Sequence, residues 1–150
     1  MSEQKIVFTK DAPFRKSSSP QLATRSSSNP RRVTANNPPA AGPYSQAIGT
    51  SSTIYCSGQV PLTAAGEAIQ GSIGEKTEQC IKNLEAVLKA AGSSIEKVVK
   101  VNVFLTTMDN FKEMNATYEK FFTHKPARSC VAVYQLPLGV PIEIECIALA

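Results

Sequence analysis

Between Ile73 and Gly92 the apolar side chains recur at three- and four-residue spacing. Ile73, Thr77, Cys80, Ile81, Leu84, Val87, Leu88 and Ala91 fall on one face of a helix, and Gly92 stops it. Such a stripe must be buried against something, and the neighbouring segments are written in period two. Thr53 to Val60 (TIYCSGQV) is rich in β-formers and ends at Pro61, and Val99, Val101, Val103 and Leu105 alternate with Lys100 and Asn102. Leu62 to Gly71 reads as a turn or short hairpin. A second helix starts at Asp109 or Asn110, with Glu113 placed to complete a capping box, and Phe111, Met114, Tyr118, Phe121 and Phe122 form its core stripe. After Lys125-Pro126 come strands over Ser129 to Leu136 and Ile142 to Leu149, joined by a hairpin-like link from Pro137 to Pro141. The order predicts a single α+β domain, a mixed β-sheet with two helices on one face.

In the last strand Ile147 and Leu149 share a face with Glu143 and Glu145, opposite to Ile142, Ile144, Cys146 and Ala148. Helices on one side leave that half-apolar second face bare, so an oligomer is expected. No apolar run approaches the roughly 20 residues that span a bilayer, and no membrane partner is expected.

The N-terminal segment is different in kind. Residues 12–42 contain no Asp or Glu, two serine triplets and five prolines, a composition that cannot bury enough apolar surface to offset its ordering entropy. Residues 1–30 therefore read as a disordered basic extension, or as a transit peptide of the Arg- and Ser-rich mitochondrial kind, with the folded domain at 31–150. Two similar segments, KIVFTKDAP (5–13) and RRVTANNPP (31–39), repeat at an interval of 26 residues. The second sits at the distance from Tyr44 that the resemblance described below implies, and is assigned to the fold. The location expected is the mitochondrial matrix, with the cytoplasm as the alternative.

Charge follows the same division. Residues 1–42 carry seven basic and two acidic side chains, a balance of +5, whereas residues 43–150 carry nine basic and ten acidic ones, a balance of −1. The folded part lacks the basic face of a nucleic-acid binder. Cys56, Cys80, Cys130 and Cys146 are widely spaced and accompanied by a single histidine, His124, which makes a poor zinc site. Cys56, Cys130 and Cys146 lie in apolar strand patterns and read as core thiols.

Arg128 is the only arginine after residue 42 and immediately precedes an apolar strand. Only a guanidinium grips a carboxylate through two parallel hydrogen bonds, so the position fits either carboxylate recognition or a surface ion pair. Glu143 and Glu145 either face solvent or hold a water. Tyr44, Ser57 and Gly58 lie in turn-like segments where glycine lets a ligand approach the backbone.

In order, GPYSQA (42–47), YCSGQVP (55–61), TEQCIKNLEAVLKAAG (77–92), VVKVNVFL (98–105), MNATYEKFF (114–122), PARSCVAV (126–133) and IEIECIA (142–148) resemble the Rid family, also labelled RidA, YjgF or L-PSP, in its fungal mitochondrial form. The resemblance covers about residues 40–150. It implies a chorismate-mutase-like homotrimer with clefts between subunits, and hydrolysis of 2-iminopropanoate and 2-iminobutanoate to the 2-keto acid and ammonia. It places the carboxylate-binding role on Arg128 and the water-positioning role on Glu143. Tyr44, Ser57, Gly58, Asn115 and Cys130 line the cleft, and neither metal nor organic cofactor is implied. The alternatives are an endoribonuclease or translation inhibitor and a non-catalytic, ligand-binding or chaperone-like trimer.

Overall fold

The structure is a computed structural model that describes residues 4–7 and 43–150. Its elements are β1 (Lys5–Val7), β2 (Ala47–Gly49), β3 (Thr53–Gln59), α1 (Ile73–Ala91), β4 (Val98–Leu105), α2 (Phe111–Phe121), β5 (Ala127–Ala132) and β6 (Ile142–Leu149). The strands form one mixed sheet in the order β1-β2-β3-β6-β4-β5, antiparallel except for the β4–β5 pair. This is the expected α+β architecture.

α1 forms where its periodicity places it. Ser72 opens it with a full capping box, its hydroxyl accepting from Glu75 N–H (3.2 Å) while the Glu75 carboxylate accepts from Ser72 N–H (2.8 Å). Gly92 closes it at φ 88°, a left-handed turn that glycine adopts without strain. The apolar stripe packs with the inward side chains of β3, β4 and β6. Cys80, Ile81, Leu84, Val87 and Leu88 are fully buried, as are Ile142 and Ile144. Asn83, on the same helix, is also buried and donates to the carbonyls of Val60 (3.1 Å) and Leu62 (3.0 Å), fastening α1 to the end of β3. Along β6 burial alternates strictly, with Ile142, Ile144, Cys146 and Ala148 inward, as their period predicts.

Four expectations need correction. The link from Pro137 to Pro141 is not a hairpin, because β4 lies between β5 and β6. β5 instead pairs in parallel with the outer side of β4, from Lys100↔Ala127 to Leu105↔Ala132. Glu113 does not cap α2. That helix follows a 3-10 turn over Met108–Asn110, Asn110 makes no side-chain cap, and the Glu113 carboxylate accepts instead from Gly74 N–H on α1 (2.9 Å). A register shift between Val98 and Lys100 turns Val98 inward and leaves Val99 exposed, so the alternation expected to begin at Val99 begins after the bulge.

The fourth correction concerns the chain start. Residues Lys5–Val7, expected to lie in an extension outside the fold, form β1 and pair with β2 through Ile6↔Ile48 and Val7↔Ala47. Val7 is 3% exposed and belongs to the core. β-branched residues at this edge let the strand complete the pairing of β2 and bury one valine, which outweighs the polar character of the neighbouring sequence. The similar segment 31–39, assigned to the fold from sequence, and the Ser- and Pro-rich stretch lie outside the described residues.

Candidate functional site

Strand alternation distributes the candidate residues over two faces of the sheet. In β5, Arg128 is level with Val101 and Cys130 with Val103, and those valines face the helices. In β6, Glu143 lies between the inward Ile142 and Ile144 and so points to the opposite face, level with Phe104. A single chain therefore does not bring Arg128 and Glu143 together.

On the helix side, Arg128 is held by α2. Its Nη1 donates to Asn115 Oδ1 (2.8 Å), and its guanidinium carbon lies 4.6 Å from the centre of the Tyr118 ring and 5.8 Å from that of Phe111. Tyr118 stacks in turn on Phe122, centroids 4.4 Å apart. Burial pushes the Tyr118 hydroxyl up to about 12, and the nearby guanidinium pulls the other way. Burial also raises the Cys130 thiol, again opposed by Arg128. The ion pairs among the described residues, Glu78–Lys82 and Glu85–Lys89, lie on α1. Arg128 has no carboxylate partner among the described residues.

The other half is built where β3 meets β6. The carboxylate of Glu143 lies against the α carbon of Gly58, so close that a β-carbon there would overlap it. Glycine at 58 is thus required by close approach. The Ser57 hydroxyl donates to the Ser45 carbonyl (2.7 Å) and holds the segment carrying Tyr44 beside β3. Burial, and then the charge of Glu145, raise the pKa of Glu143. Tyr44 is raised by burial and by the charge of Glu143, which places the two side chains in each other's field. The two glutamates differ in partners. Asn102 Nδ2 donates to Glu145 (2.7 Å), while Glu143 makes no side-chain hydrogen bond to another described residue.

Tyr44, Ser57, Gly58 and Glu143 thus form one cluster, and Asn115, Cys130 and Arg128 the other. Sequence reasoning read Phe111 and Tyr118 as core alone. Their spacing with Asn115, four and then three residues, was the available signal that all three share a helix face. Cys56 and Cys146 are buried thiols opposite one another on β3 and β6, as expected of core cysteines, whereas Cys130 is only partly buried.

Fold and residues together define a small α+β domain with an arginine that no described carboxylate pairs on one face of the sheet and a half-buried glutamate on the other. Residues 34–150 match the family model described as Endoribonuclease L-PSP, and the chain belongs to this family, the RidA/YjgF proteins. It is 55% identical over 114 residues to protein mmf1, mitochondrial, of Schizosaccharomyces pombe, covering 73% of this chain and 70% of that one. It is 41% identical over 120 residues to the 2-iminobutanoate/2-iminopropanoate deaminase of Salmonella typhimurium, covering 77% and 94%. Among solved structures, E. coli TdcF with bound serine superposes with a TM-score of 0.76 at 30% identity, covering 97% of this chain and 98% of that one. Two of the relatives, from Schizosaccharomyces pombe and Saccharomyces cerevisiae, are named as mitochondrial.

Proposed function

We propose that this protein hydrolyses 2-imino acids to 2-keto acids and ammonia, at a site formed where the Arg128 face of one copy meets the Glu143 face of another. The observation that carries the reading is Arg128. Its guanidinium is fixed by Asn115 and two rings, yet no described carboxylate neutralises it. The serine in TdcF and the substrates in the name of the Salmonella relative are small 2-substituted carboxylic acids, the class such an arginine grips.

The chemistry asked of the protein is modest. A protonated imine carbon is already electrophilic. Arg128 holds the substrate carboxylate, and Glu143 accepts a proton from the water that adds to C2. The same proton then goes to the carbinolamine nitrogen; the C–N bond breaks, ammonia leaves, and the C2 hydroxyl gives its proton to Glu143 as the 2-keto acid forms. Positioning and fixed charge supply the rate. A raised pKa suits Glu143 to both halves of this transfer.

An origin in separate copies follows from the opposed faces and from the bare sheet surface, where Tyr55 and Leu149 are 50% and 51% exposed. A homotrimer closes such a contact cyclically. RNA cleavage is less well supported, since the single imidazole, His124, bonds its Nε2 to the Val98 carbonyl (2.9 Å).

The test is to generate imino acids in situ with an amino-acid oxidase and follow release of ammonia and 2-keto acid. Acceleration over the spontaneous rate is expected, together with a loss on the order of 100-fold in kcat/KM for Arg128→Lys, the scale of a charged bidentate contact. Turnover by Arg128→Lys equal to the parent would remove the assigned role.

A further inference from the structure

We infer that Tyr118, assisted by Phe111, is a positioning residue that fixes the guanidinium plane of Arg128 for carboxylate binding, a role that rests on the deaminase reading above. Residues 111, 115 and 118 lie on one face of α2, and all three touch the same guanidinium. Asn115 engages one edge at Nη1, and the Tyr118 ring covers one face at 4.6 Å. The remaining N–H donors bond to no described residue. Arg128 lines a cavity of about 490 Å³ together with Tyr118 and Lys125.

Two further observations separate this role from a hydrogen-bonding or ion-pairing one. The Tyr118 hydroxyl is buried, on a residue 7% exposed, and has no hydrogen-bond partner among the described residues, so the ring is held without one. Its proton is retained well above neutral pH, so the phenol is not an anion paired with the arginine. What remains is the ring face, which attracts a cation and restricts a side chain that otherwise loses much rotamer freedom on binding. Phe122 stacked behind Tyr118 keeps that ring in place.

The test is a double-mutant cycle read by the Kd for 2-oxobutanoate, a plain 2-keto acid, in the full-length protein. Tyr118→Leu is expected to weaken binding roughly tenfold, the range of a partly desolvated cation–π contact. Tyr118→Phe, which keeps the ring, should restore it. In an Arg128→Lys background the leucine substitution should change Kd by less than about twofold, because the pair acts as one unit. In NMR spectra the Arg128 Nε–H resonance, assigned by its absence in Arg128→Lys, should carry a ring-current shift that Tyr118→Leu removes. Should Tyr118→Leu fail to fold, Phe111→Leu reports on the weaker contact with an expected loss of about threefold. Additive losses in the cycle, an unchanged Kd in the leucine variants, or a loss in Tyr118→Phe equal to that in Tyr118→Leu would overturn the proposal. Absence of imine turnover in the parent protein would overturn the deaminase reading alone, since Kd and the ring-current shift are measured without it.

Discussion

Glu143 carries a charge that its surroundings disfavour. Burial and then the Glu145 carboxylate raise its pKa, so the folded chain holds this proton more tightly than the unfolded chain does. Stability from such a group is present below the unfolded pKa and is lost as pH rises through the folded value. At neutral pH the ionised carboxylate therefore weakens the fold, while the proposed reaction requires it. Glu143→Gln should accordingly leave thermal stability at pH 7 equal to or above that of the parent and reduce turnover on the order of 100-fold, the contribution of a positioned proton acceptor. In the parent, turnover should fall with decreasing pH through a value above the ordinary carboxylate range, and that limb should vanish in the variant. A thermal unfolding series and a kcat/KM profile between pH 4 and 8, spans taken from carboxylate and histidine reference values, check both halves. Loss of stability in Glu143→Gln would mean the side chain is structural.

At the scale of elements, the edge of the sheet is the least expected feature. β1 is three residues long, yet it supplies Val7 to the core and pairs the outer side of β2. Removing residues 1–10 should lower the unfolding free energy by about 2 kcal/mol, the order of one fully buried valine. Urea denaturation of full-length and shortened protein measures it. An unchanged midpoint would mean that another stretch of chain fills the slot, and Val33 is spaced from Pro39 as Val7 is from Pro13. α1 needs no such support, because its capping box, its left-handed glycine and its buried stripe all specify the same helix.

For the whole molecule, the decisive fact is that Arg128 and Glu143 lie on opposite faces of one sheet. If each site takes its arginine from one copy and its glutamate from the next, two inactive variants can complement each other. Co-refolding Arg128→Lys with Glu143→Gln in equal amounts should restore activity at about a quarter of the sites of a closed ring. Either variant refolded alone should stay inactive. Activity of the mixture no greater than the sum of the two would place both residues in a site within one chain. The same reading predicts an assembly of three chains by analytical ultracentrifugation, and its dissociation by Tyr55→Glu on the bare face.

The sequence by itself determined the elements and their inward faces, because periods of 3.6 and 2 record which side chains leave water. It therefore predicted α1, the alternation of β6 and the α+β class. It also singled out Arg128 as a lone guanidinium and marked Glu143 and Glu145 alike as carboxylates in apolar company, and the resemblance to the Rid family chose Glu143 between them. Periodicity says which way a side chain points and nothing about which strand lies alongside. Only the tertiary structure placed β5 beyond β4 instead of beside β6, and filled the edge next to β2 with Lys5–Val7. The same limit applies to α2. Apolar spacing marked Tyr118 for burial, but its place against Arg128 depends on packing α2 over a parallel strand pair joined across the sheet, a long-range contact with no local signal.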